Sequence, residues 1–115
     1  MNSTFTIEEK YSQLVKKVSE QFADGDIMKI ESILYLIGVQ ELGKGFIQFS
    51  KDDKINLMHI AVCKIFEPYG YYRLSTTDSD GWPHYETLIP LPSLALNEQT
   101  NLMKEAVIKY FEQNG

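Results

Sequence analysis

An α+β fold with the element order α-α-α-β-β-α is what this chain predicts, and three observations carry the prediction. Apolar residues recur at helical spacing along one face from Ile7 to Phe22 and again from Leu102 to Phe111. A long segment from Ile27 to Leu42 is apolar nearly all round a helical wheel. Between Tyr71 and Ile89, in YYRLSTTDSDGWPHYETLI, two runs rich in Tyr, Leu, Thr and Ile flank a polar turn containing Gly. That is the pattern of a β-hairpin. The chain has 115 residues, enough for one modest core, so residues 1–115 read as a single α+β domain with helices packed on one face of the hairpin.

The first helix carries Ile7, Tyr11, Leu14, Val15, Val18 and Phe22 on one face. Thr6 followed three residues later by Glu9 is a capping box. Asp24-Gly25-Asp26 ends this helix and can cap the next. The second segment is long enough for a helix, although its centre, Ile33 to Val39, also fits a buried strand. Its apolar girdle calls for cover on most sides, and in so small a domain part of that cover is expected from a second copy. Gly43-Lys44-Gly45 breaks the segment, and the FIQF that follows reads as a short extended link.

A third helix opens at Ser50, with Asp53 as capping acid, and stops before Pro68. Ile55, Met58, Ala61, Val62, Ile65 and Phe66 form its expected core face, with Asn56, Lys64 and Glu67 opposite. His59 falls at the seam and Cys63 towards the polar side. If Asp78 to Gly81 is a four-residue loop, the hairpin pairs Ser75 with His84, Arg73 with Glu86 and Tyr71 with Leu88 on one face. Tyr72, Leu74, Tyr85 and Ile89 share the other, more apolar face, which the helices should cover. Pro83 cannot donate to a ladder, so either its strand is an edge at that point or the ladder has not yet begun. Pro90 and Pro92 end the strand, and a last helix runs from about Asn97 to Glu112 with Leu102, Met103, Ala106, Val107, Tyr110 and Phe111 as its stripe.

Composition excludes several functions. The formal net charge is -5 and the few basic residues are scattered, which disfavours binding to a phosphate backbone. The same acidity suits a protein partner with a basic surface. The start, MNSTFTIEEKYSQ, has neither the basic nor the apolar region of a signal peptide. No apolar run approaches the ~20 residues that span a bilayer. A single cysteine, Cys63, allows no intrachain disulfide. These features read as a bacterial-style cytoplasmic protein without membrane attachment.

Three groups of residues could carry chemistry. His59, Cys63 and Glu67 line up at i, i+4 and i+8, and imidazole and thiolate are good zinc or copper ligands. Two ligands on one helix do not make a site, and neither CxxC nor HExxH occurs, so no metal or cofactor is expected. As nucleophile and base the pair is poorly set, because Cys63 lies late in its helix, where the dipole opposes a thiolate. Asp78-Ser79-Asp80-Gly81 superficially suggests a calcium loop, but Thr87 stands where the bidentate acid belongs. The most site-like cluster is Arg73, His84 and Glu86, with Tyr71 and Trp82 nearby. It can anchor a protein contact, since Trp, Tyr and Arg are common interface anchors. Alternatively, its Arg, His and Glu serve a small enzyme or ligand-binding site. The expectation is therefore a homodimeric, non-catalytic protein-binding or regulatory module, with an inhibitor or immunity type as its specific case and a small enzyme or ligand binder as the alternative.

Overall fold

The structure, a computed structural model, describes residues 6–114. In chain order they form α1 (Ile7–Phe22), α2 (Ile30–Leu42), α3 (Lys51–Phe66), a single 3-10 turn (Glu67–Tyr69), β1 (Tyr72–Thr77), β2 (Pro83–Thr87) and α4 (Leu96–Asn114). The expected α+β class and order are the observed ones. Ile33 to Val39 lies wholly within α2, so this apolar run is helix and not strand. No helix among the described residues is long and apolar enough to cross a membrane. The chain divides into two compact units, residues 1–28 with 92–115 and residues 29–91.

In the first unit, α1 begins with the expected capping box. The Thr6 hydroxyl accepts the Glu9 N–H at 3.2 Å, and the Glu9 carboxylate accepts the Thr6 N–H at 3.2 Å. Two otherwise orphaned donors are thereby satisfied. The helix ends where Asp24 and Gly25 turn to positive φ, with the Gly25 N–H returning to the Ser19 carbonyl at 2.9 Å. Asp26 does not cap α2, because the backbone stays extended through Lys29, the residue that directly precedes the helix. Instead the buried Ser19 hydroxyl accepts the Met28 N–H at 3.0 Å. Val18 is the buried apolar residue of α1, whereas Phe22, expected on the core face, is 46% exposed. On α4, Ala106, Val107, Ile108 and Tyr110 are buried. The Lys104 ammonium bridges the two helices, 2.9 Å from the Glu8 carboxylate and 5.1 Å from the centre of the Tyr11 ring.

The second unit packs α2 against α3 and lays the hairpin on α3. Ile33, Leu34, Leu36, Ile37, Gly38, Val39 and Leu42 of α2 are all buried. Gly43, in the left-handed conformation, ends the helix. Val39, Leu42, Phe49 and Leu57 form a cluster on which Tyr35 and Trp82 pack, with the Phe49 ring edge-on to Tyr35 at 6.3 Å and to Trp82 at 6.5 Å. FIQF forms no strand, and Phe46 and Ile47 in it are exposed.

Ser50 caps α3 by accepting the Asp53 N–H at 3.1 Å. The core face of α3 differs from the expected stripe. Leu57, Ile60, Ala61, Cys63, Ile65 and Phe66 are buried, while Ile55 is 56% exposed. The stripe assumed one covered face. This helix is covered by α2 and by the hairpin, so Cys63 on the supposedly polar side is buried completely.

The strands pair antiparallel, Tyr72 with Thr87, Arg73 with Glu86 and Leu74 with Tyr85. A bulge between Leu74 and Thr76 then shifts the register, so Thr76 rather than Ser75 faces His84. An extra residue in one strand of this kind re-aims every side chain beyond it. Asp78 organises the turn. One carboxylate oxygen accepts the N–H groups of Asp80 and Trp82 at 2.9 and 3.0 Å.

Candidate functional site

The bulge and the turn bring the hairpin tip onto the middle of α3. Between them lies a groove of about 220 Å³, with Asn56, His59 and Ile60 on the helix side and Asp78, Trp82, Pro83 and His84 on the hairpin side. The Nε2 of His84 stands 2.8 Å from the second carboxylate oxygen of Asp78. Asp78 therefore meets a donor at each oxygen, and these contacts, led by the His84 hydrogen bond and then the Trp82 N–H, hold its carboxyl below the usual carboxylate range.

One turn along α3, the Nε2 of His59 lies 3.6 Å from the sulfur of the buried Cys63. Burial pushes the Cys63 thiol up to about 11, so the sulfur carries its proton at neutral pH. A thiol that keeps its proton is a poor nucleophile. Glu67, the third residue of that line, pairs with Lys64 at 3.5 Å. Among the described residues no group of three His, Cys, Asp or Glu could hold a metal ion.

Further along the hairpin, burial raises the Tyr72 and Tyr85 phenols, and the carboxylates of Glu67 and Glu41 raise Tyr85 further. These two tyrosines lie on the face expected to be covered, and they are half-buried. Leu74 and Ile89, expected beside them, stay 47% and 55% exposed.

The five residues singled out in the sequence separate into three environments. Arg73 and Glu86 form a close ion pair with each other on the solvated face. His84 turns to Asp78 and the groove. Tyr71 and Trp82 go to the core, Tyr71 edge-on to Phe66 at 6.1 Å and Trp82 against Phe49. The groove thus joins His84 and Trp82 to His59 and Asp78, which the sequence offered only as a helix-line residue and as a polar turn. Asp at the first position of a Gly-containing turn was the available signal, since such carboxylates bind backbone N–H groups just ahead. Compared with protein-family models, with curated proteins and with solved structures, the chain matches none of them.

Proposed function

We propose that this chain is a non-catalytic protein-binding or regulatory module of the cytoplasm, of the inhibitor or immunity type, that docks a basic partner protein through its hairpin. The observation that supports this reading most is the exposure of Leu74, Leu88 and Ile89, each about half open to solvent on a sheet of only two strands among the described residues. An extended partner segment that pairs with such an edge gains main-chain hydrogen bonds, and neighbouring apolar side chains select it. The formal charge of -5 favours a basic partner and disfavours nucleic acid. Arg73 and Glu86 satisfy one another, which leaves them to set specificity at the rim more than to carry chemistry.

A homodimer is the self-paired form of the same contact. The apolar surface of α2 does not call for a second copy, because Ile33, Leu36 and Ile37 are buried within one chain, and the unpaired hairpin edges are what support it. Capture at low salt with wild type and with Leu74→Glu/Ile89→Glu, followed by reconstitution from purified components, tests the reading. A basic protein that binds wild type stoichiometrically and the variant at least about tenfold more weakly supports it. Equal binding to the variant, or no stoichiometric partner, overturns it. Sedimentation equilibrium of the isolated chain assigns the edge to self-association if the mass is that of a dimer.

A further inference from the structure

We propose that the groove between α3 and the hairpin tip takes the guanidinium group of an arginine on the basic partner. The proposal rests on the docking reading above and names the group the partner presents. Its grounds are the charge of the groove, its walls and its place on the hairpin.

Asp78 is the one carboxylate lining the groove, and no Lys or Arg lines it. Its donors are the backbone N–H groups of Asp80 and Trp82 and the His84 ring. The backbone groups leave its negative charge in place, and so does His84 in its neutral form. In that form the Nε2 proton goes to the carboxylate and Nδ1 is an acceptor. A neutral His59 likewise keeps one acceptor nitrogen, whichever tautomer it adopts. With the amide oxygen of Asn56, the lining offers acceptors and one negative charge, which suits a cation that carries N–H groups. A metal ion is not that cation, because among the described residues no three ligating side chains come together.

Trp82, Pro83 and Ile60 supply the apolar walls. Trp82 is held at its backbone by Asp78 and at its ring by Phe49, so this wall is fixed before anything binds. A guanidinium is planar, weakly hydrated and stacks on aromatic rings, whereas the lysine ammonium is compact and strongly hydrated. The groove volume, about 220 Å³, equals roughly seven water volumes at ~30 Å³ each, room for one long side chain. Pro83 and His84 wall the groove and also begin β2. A partner segment laid along the hairpin therefore reaches the groove at the end of the strand.

Trp82 is the single tryptophan, so its fluorescence reports on the groove directly. The probe is the peptide acetyl-Ala-Arg-Ala-amide, titrated into the full chain to millimolar concentration at constant ionic strength and mildly alkaline pH. The same peptide with citrulline is its neutral isostere, and the same peptide with lysine its ammonium counterpart. A saturable change with the arginine peptide is expected, with citrulline at least about tenfold weaker and lysine several-fold weaker. Asn56 is an exposed helix residue of the groove, so its substitution leaves Asp78 and the turn intact. Asn56→Lys should weaken the arginine peptide by about tenfold or more and Asn56→Asp should tighten it, both with the circular dichroism of the wild type. Absence of saturation, citrulline binding equal to arginine, or an unchanged affinity in Asn56→Lys overturns the assignment. Lysine binding as tightly as arginine overturns the choice of guanidinium. Propylguanidinium that binds where the arginine peptide does not overturns the partner as its source, in favour of a free guanidino compound. Leu74→Glu/Ile89→Glu, outside the groove lining, should bind the peptide as wild type does, so the docking reading and this one fail separately.

Discussion

Gly38 of α2 lies directly against the backbone of Leu57 in α3. A Cβ built on Gly38 would stand 2.6 Å from the Leu57 carbonyl carbon and 2.9 Å from its Cβ. Real Cβ atoms do not approach so closely, and the obstacle is main chain, which cannot rotate aside as a side chain can. The two helices cross at this point because one of them has no side chain there. The hairpin, and with it the groove, rides on the α3 that this crossing positions.

The Gly38→Ala substitution should therefore destabilise the protein by about 3 kcal/mol, the upper part of the range for overpacking. The gain in helix propensity, ~1 kcal/mol, opposes this and is the smaller effect. Urea denaturation followed by far-UV circular dichroism measures the difference. A variant as stable as wild type would mean that the helices do not meet here.

Alkaline pH should weaken the fold through Cys63. Burial raises its thiol from 9.0 to about 11, so the unfolded chain loses this proton first. The contribution is complete below about pH 9 and is lost as pH rises through 11. Two pH units correspond to roughly 2–3 kcal/mol. Tyr85, raised by burial from 10.0 to about 12, extends the loss to higher pH. Unfolding free energies measured from pH 7 to 11 should fall less steeply for Cys63→Ser than for wild type.

At the acid end the sign reverses for Asp78. Its carboxyl is depressed in the folded state, chiefly by the His84 hydrogen bond. The stabilisation is present above the unfolded carboxyl value, about 3.9, and is lost as pH falls through the folded one. Asp78→Asn should flatten the acid limb of the stability curve and shift the His84 ring resonances in NMR, because the acceptor for Nε2 is weakened. An unchanged His84 spectrum would separate the two residues.

Arg73 and Glu86 are well exposed, so their ion pair should count for little. A double-mutant cycle with Arg73→Ala and Glu86→Ala should return a coupling of under about 1 kcal/mol, decreasing further as salt is added. A larger coupling would place the pair in a drier environment than the hairpin face provides.

The sequence by itself determined what local chemistry controls. Thr6 and Glu9 mark the start of α1 through their own hydrogen bonds, and Ser50 does so for α3. Gly43 ends α2 through its left-handed backbone. The second segment was long enough for a helix, yet its helix begins at Ile30 rather than Ile27, and length alone left Ile33 to Val39 open between helix and strand. Only the tertiary structure decided the rest. Periodicity describes one covered face, and α3 is covered by both α2 and the hairpin, so Cys63 is buried and Ile55 is open. The bulge at Ser75 belongs to the packing of two strands together and left no mark in either run alone. By shifting one residue it gave His84 a partner opposite it other than Ser75, while Trp82 joined the core beside Phe49. The groove joins His59 to Asp78 and His84, residues distant in the chain, and no pattern along the sequence encodes such a distance.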